Sequence, residues 1–299
     1  MVLYHLVAIE ILQSIFILYN MYMNTQCYNT QHIHFKECLF ENVDATYVLI
    51  MENSKYEDIV KKQLQHYKPT YNVHIQYNEG FKKCDKYYNN NKKISKTYQD
   101  LTHAYITAFN DAKKNGYKHI LILEEDFIFS NEIRKQRHID NINAFLPKMR
   151  KNKYILSLGC APVITIKHSQ CIRKCFLSLG THAMIYPDTL YNDIINESNT
   201  IEDIDIYFNT KKKYMYYKPI AYQVYNETEN RANWGEQFGY LAKLISAFVS
   251  TVVLSFLNMD KKEEPGTSIL YKTNVYIYDF LLPILFALLI LHIINRMYS

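Results

Sequence analysis

Apolar and polar positions follow two periods along this chain. Residues 45–51 (Ala-Thr-Tyr-Val-Leu-Ile-Met) are apolar almost throughout and predict a buried strand. Ile59, Val60 and Leu64 then recur at helical spacing behind Ser54, a residue type that caps helices. Pro69 ends that pattern, and residues 71–77 alternate as a second strand. Leu101, Tyr105, Ala108 and Ala112 mark one face of a helix over 98–115, which Gly116 closes. Ile120 to Leu123 are apolar at every position, the pattern of a strand buried on both faces. Ser130 is placed to cap a helix carrying Ile133, Ile139, Ile142 and Phe145. Short strands are predicted at 154–158 and 163–166, then an apolar stretch over 176–186 broken by Gly180. Pro187 suits the first turn of a following helix. A helix start near 201–208 and strands at 214–217 and 220–224 complete the series. Strands alternating with helices predict an α/β sandwich with a mainly parallel sheet.

The ends differ from this middle. Residues 2–22 are largely apolar but interrupted by His5, Glu10, Gln13 and Ser14, with no basic start and no small-residue cleavage site. That disfavours an ordinary cleaved signal, and the expectation is an uncleaved anchor or a packed amphipathic helix. Residues 24–44 are polar and read as a stem, and 82–97 as a mobile Lys/Asn-rich loop. Residues 241–257 are apolar, 258–274 polar, and 275–294 apolar apart chiefly from Asp279 and His292, long enough to span a bilayer. The expected organisation is an N-terminal segment and stem (1–44), an α/β domain (45–238) and a membrane-associated helical hairpin (239–299).

Composition changes this picture little. The net charge is +5, with 34 basic residues scattered among 29 acidic ones, so no dedicated nucleic-acid surface is indicated. The six cysteines form no C-x-x-C pair. Cys27 with Cys38, or Cys171 with Cys175, are candidate disulfides in an oxidising lumen. His168, Cys171, Cys175 and His182 match no common zinc spacing.

Candidate chemistry lies in two acidic clusters. Glu124, Glu125 and Asp126 follow the buried strand at its C-terminal end, where open α/β sheets bind ligands. Three adjacent carboxylates repel one another unless a cation is present, so the stretch reads as a divalent-metal site or as a solvated acidic turn. The second cluster, Asp203 and Asp205, is either functional or a pair of acids favoured at a helix start. Two sequons, at Asn196 and Asn226, and the single Trp234 are further marks.

The order of these pieces resembles the family-25 glycosyltransferases, the lipopolysaccharide- and collagen-modifying galactosyltransferases, and most of all their divergent members in large DNA viruses. The resemblance covers residues 45–235. It rests on Tyr47-Val48-Leu49-Ile50, Leu101-Thr102-His103-Ala104, Ile120 to Asp126, Gly180-Thr181-His182-Ala183, Asp203-Ile204-Asp205 and the 219–223 strand. The usual Glu-Asp-Asp of the family is here Glu124-Glu125-Asp126, and Asn53 and Lys55 are the nearest matches to its Asn and Arg after the first strand. The resemblance implies a GT-A, Rossmann-like fold and metal-dependent transfer of a hexose from a nucleotide sugar, such as a UDP-sugar, to a glycan or protein hydroxyl with inversion. It implies Mn²⁺ or Mg²⁺ held by Asp126 with Glu124. Donor contacts are then expected from Asn53, Lys55, His103, Glu124, Glu125, Gly180 and His182, and the acceptor base from Asp205 or Asp203. The C-terminal segment would hold the enzyme at a membrane such as a host ER or Golgi membrane. Two rivals remain: a membrane-anchored protein that keeps the fold without activity, and a glycoside hydrolase with its two carboxylates drawn from the two acidic clusters.

Overall fold

A computed structural model describes residues 27–88, 92–224 and 265–298. The strands are β1 (Tyr28–His34), β2 (Ala45–Met51), β3 (Asn72–Asn78), β4 (His119–Glu124), β5 (Phe127–Phe129), β6 (Ile155–Lys167), β7 (Ile172–Pro187), β8 (Lys213–Tyr216) and β9 (Ala221–Gln223). The helices are α1 (Glu57–Tyr67), α2 (Thr97–Lys114), α3 (Gln136–Met149), α4 (Asp188–Glu197), α5 (Ile204–Asn209), α6 (Pro265–Tyr276) and α7 (Leu282–Tyr298).

Seven strands form one sheet in the order β1-β3-β2-β4-β7-β6-β8. β2, β3, β4, β6 and β8 share one direction, and β1 and β7 oppose them. The sheet is thus mixed and mostly parallel. Side-chain alternation along the central strands feeds two cores. Val48, Ile50, Leu121 and Leu123 face one, with α1 and α3, while Tyr47, Leu49, Ile120 and Ile122 face the other, with α2, α4 and α5. Because both faces are covered, β2 and β4 are apolar at consecutive positions.

β8 is gripped on both edges. Ile155–Ser157 of β6 pair with it in parallel, and 172–175 of β7 pair with it antiparallel. The long β6–β7 hairpin must therefore bend around β8, and register shifts between Ser157 and Thr165 supply the bend. Where two short strands were expected, at 154–158 and 163–166, there is one long, bulged strand.

Further expectations are corrected. Residues 28–34 of the expected stem form an edge strand on β3, which sequence hides because an exposed edge alternates only weakly. The 82–97 stretch is not a free loop. Cys27 bonds Cys84 rather than Cys38, tying the segment to β1, and Cys171 and Cys175 are free thiols. Lys86 beside it is wholly buried, donating to Asp100 at 2.5 Å and to Asn78, with its ammonium 4.7 Å from the Tyr28 ring. Ser130 caps a short 3₁₀ turn, and α3 begins later, at Gln136.

Among the described residues one helix is long and apolar enough to cross a membrane, Gly266–Arg296. A π-helical turn at Ile277–Leu281 precedes Pro283, whose ring supplies no N–H to a regular helix. The 2–22 segment, the 241–257 half of the expected hairpin, Asn226 and Trp234 lie outside the described residues.

Candidate functional site

The acidic turn after β4 opens into a cleft of about 520 Å³. Parallel strands place their C-terminal ends side by side, so the loops after β2, β3 and β4 converge there. The loop after β2 contributes Asn53, in a left-handed conformation with φ 60°, and Lys55. The segment after β3 contributes Gly80, Lys82 and Lys83, and α2 contributes Asp100. Glu52, Glu79, Glu124, Glu125, Asp126 and Gln223 also line it. The cleft thus brings the acidic turn together with three lysines, and the segments that carry the lysines also bring Glu52 and Glu79, with Asp100 added by α2.

The acids differ in their surroundings. Glu125 Oε2 accepts from the Met51 backbone N–H at 2.9 Å, tying the turn to the β2 loop. Asp126 Oδ2 accepts from Gln223 Nε2 at 3.0 Å, a contact set up by pairing of β5 with β9. Asp126 Oδ1 and Gln223 Oε1 are buried without a hydrogen-bond partner. The unpartnered Asp126 oxygen leaves room for a cation, while the Gln223 side chain has the His182 imidazole as a neighbour. Burial drives the Asp126 carboxyl above its ordinary range, Glu125 adds to the rise, and the Gln223 hydrogen bond opposes it.

Glu124 is held from behind. Tyr105 Oη donates to Glu124 Oε1 at 2.8 Å. Thr181 Oγ1 lies 2.5 Å from Glu124 Oε1 and 2.5 Å from Asp205 Oδ1. One hydroxyl proton can serve only one of those carboxylates, so the other contact needs a proton on the acid. Burial first, and mutual repulsion second, raise the Glu124 carboxyl, and burial likewise raises Asp205.

The remaining expected residues do not line this cleft. Asp203 is the N-cap of α5, accepting from the N–H of Asp205 at 2.9 Å and of Ile206 at 3.3 Å. Asp205 sits behind Thr181. His103 is packed in the domain, with Nδ1 2.7 Å from Tyr28 Oη and its ring stacked on that tyrosine. Burial, with Lys86 nearby, pushes its pKa down to about 3, so it is neutral. His182 is also buried, and burial lowers its pKa to about 4. The ring abuts Gly159, where an added Cβ would lie 2.9 Å from Nε2 and 1.9 Å from the Ala221 carbonyl oxygen. Gly180 lies within β7 with φ +81°, a conformation that side chains resist. Of the expected donor and metal residues, then, Asn53, Lys55, Glu124, Glu125 and Asp126 share the cleft, while His103, Gly180, His182, Asp203 and Asp205 lie apart from it.

Sequence reasoning passed over Lys82, Lys83, Asp100 and Gln223. The lysines lie in a stretch whose composition resembles a solvated loop, and only the half-cystine Cys84 signalled order. Among the described residues no three His, Cys, Asp or Glu side chains meet closely enough to hold a metal by themselves, the His168–His182 set included. A cation at Asp126 would therefore share its shell with ligand oxygens.

No family model matches the chain, and no curated protein matches it. Similar solved structures include A197 from STIV, 10% identical over 57% of this chain and 81% of that one, with TM-score 0.36. Another is a glycosyltransferase involved in the glycosylation of the major capsid of PBCV-1, 10% identical over 50% of this chain and 63% of that one, with TM-score 0.28. A third is apo-UDP-glucose pyrophosphorylase, 8% identical over 58% and 72%, with TM-score 0.32. Likeness this distant carries no argument about activity.

Proposed function

We propose that the chain is a metal-dependent glycosyltransferase of GT-A type, similar to family 25, that moves a hexose from a nucleoside-diphosphate sugar to an acceptor hydroxyl. The observation that carries this reading is the meeting, in one cleft, of the Glu124–Asp126 turn with the loops after β2 and β3, which bring Lys55, Lys82 and Lys83 together with Glu52 and Glu79. A nucleoside diphosphate needs both: oxygen ligands for a hard cation and cationic groups for phosphate.

In this reading Asp126, whose Oδ1 has no hydrogen-bond partner, would hold Mn²⁺ or Mg²⁺. When bound, the cation neutralises negative charge developing on the leaving diphosphate. Lys55, Lys82 and Lys83 bind phosphate oxygens, and Asn53 presents the β2 loop to the nucleoside. Glu124 contacts ribose or a metal-bound water, fixed by Tyr105 and Thr181. Glu125 fixes the turn through the Met51 N–H. Asp203 is withdrawn from the acceptor-base role because its carboxylate is occupied in capping. Asp205 acts on Glu124 through Thr181 rather than on the acceptor.

The same placement weighs against a hydrolase, which needs two carboxylates facing one bond. The C-terminal helix is read as a membrane anchor, since its apolar window is wholly unburied. The test is a donor screen of the full chain with UDP- and GDP-sugars and Mn²⁺. Metal-dependent nucleotide release lost in Asp126→Ala supports the reading. Metal-independent cleavage of an oligosaccharide favours the hydrolase, and nucleotide binding without turnover favours an inactive binding protein.

A further inference from the structure

Thr181 and His182 are neighbours on β7, and successive side chains of a strand point to different sides. Thr181 reaches Glu124 and Asp205. His182 turns to β9, and the chain of contacts there ends at Asp126.

The ring is only 1% exposed. It lies where β6 and β9 meet, at a point that only glycine allows on β6. An added Cβ at Gly159 would come within 1.9 Å of the Ala221 carbonyl oxygen, 2.8 Å of its carbon and 2.9 Å of His182 Nε2. β9 is also paired to β5, with Gln223 opposite Phe127. The Val224 N–H donates to the Asp126 carbonyl at 2.9 Å, so the backbone beside Gln223 is tied to the acidic turn.

The side-chain hydrogen bonds allow one direction. An Asp126 carboxylate that binds a cation only accepts, so Gln223 must give it the NH₂ end of its amide, as Nε2 does at 3.0 Å. Gln223 Oε1 is buried and has no partner of its own. The imidazole of His182 is the neighbour of that side chain, and its two nitrogens are buried without a partner as well. A buried acceptor and a buried N–H left open side by side each cost free energy, which one hydrogen bond between them recovers. Burial keeps the ring neutral, and a neutral imidazole has a single N–H to give. The Ala221 carbonyl is the other acceptor near it.

We propose that His182 is a positioning residue for the cation site: it donates its N–H to Gln223 Oε1, which holds the amide nitrogen on Asp126 Oδ2 and leaves Asp126 Oδ1 to the cation. His182 touches neither cation nor substrate and acts through Gln223. The inference rests on the reading of Asp126 as the cation's ligand.

The test is Mn²⁺ binding by the full chain, counted from the free-ion signal in electron paramagnetic resonance with UDP and then GDP present, beside a melting curve in EDTA for each variant. His182→Phe keeps a ring and removes the N–H. It is expected to weaken Mn²⁺ binding about 10-fold, the lower end of what loss of an outer partner of a metal ligand costs. Gln223→Leu is expected to do the same, and the double variant no worse than the weaker single one. His182→Gln, which brings an N–H back, is expected to recover most of the loss. Losses that multiply in the double variant assign the N–H to the Ala221 carbonyl and overturn the proposal. Where His182→Phe melts early, NMR of isotope-labelled imidazole nitrogens reads the same contact without a substitution of His182. The ring N–H resonance is expected to move in Gln223→Leu, and a resonance that stays put overturns the proposal. No Mn²⁺ binding by wild type, or binding unchanged in Asp126→Ala, overturns the cation reading itself. An Asp126-dependent site that His182→Phe leaves at wild-type affinity overturns only the positioning role.

Discussion

The two acidic clusters look alike on paper and do different work in the fold. Glu124-Glu125-Asp126 ends a buried parallel strand, so its backbone is spent on the sheet and its carboxylates are left facing the cleft. Asp203-Ile204-Asp205 begins a helix, so one carboxylate is consumed by the free N–H groups of the first turn. The other is turned inward to Thr181. What decides a carboxylate's availability is the element it terminates. Acids at the end of the parallel strand line the cleft, while the acids at the helix start are engaged within the fold.

The sharpest way to break this contrast is to exchange the losses. Asp126→Ala is expected to lower transfer by about 10³-fold, the scale of removing a key electrostatic contact to the transition state, with the thermal unfolding profile little changed. Steady-state nucleotide release beside a melting curve checks it. The segment that carries Lys82 and Lys83 is tied to β1 by the Cys27–Cys84 bond, which closes a loop of 57 residues in sequence separation. Cys84→Ser is expected to cost about 4 kcal/mol of stability by loop-closure entropy and to raise KM for the donor through Lys82 and Lys83. Denaturant titration and a KM measurement separate the two effects. Asp203→Ala is expected to cost about 1 kcal/mol, as loss of an N-cap does, and to leave turnover near wild type. A large fall in turnover with Asp203→Ala would erase the distinction between the clusters.

The smallest effect expected is a pH tilt. Glu124, Asp126 and Asp205 have their folded-state carboxyls raised by burial, so the folded protein holds protons that the unfolded chain releases. Stability from this source is fully present below the ordinary carboxylate range of about 4 and is lost as pH rises through the raised values. In EDTA, Tm is therefore expected to fall as pH rises from the acid range, and Mn²⁺ to restore it. Calorimetry of Glu124→Gln should show a flatter slope.

Much of the scaffold was legible in the sequence, because burial on both faces writes itself plainly. The 45–51 strand matches β2, and the 98–115 helix differs from α2 by one residue at each end. The acids after the 120–123 strand, together with Asn53 and Lys55, line one cleft. β1 was not legible, since an edge strand such as Tyr28–His34 owes its pairing to a partner distant in sequence. Nor was the curl of β6 and β7 around β8, which depends on bulges no local pattern records. His103 and His182 looked like donor contacts because histidine is versatile, yet burial makes them neutral packing groups. Lys86 looked like one more solvated lysine until Asp100, Asn78 and Tyr28 closed around it.

The central claim is that the Asp126 side of the cleft binds a nucleoside diphosphate together with a divalent cation. Calorimetric titration of UDP and GDP into the full chain tests it most directly. The account predicts binding of one of them in Mn²⁺, loss of that binding in EDTA and in Asp126→Ala, and retention in Asp203→Ala. Binding that survives Asp126→Ala unchanged, or no binding of either nucleotide in the presence of Mn²⁺, would contradict it.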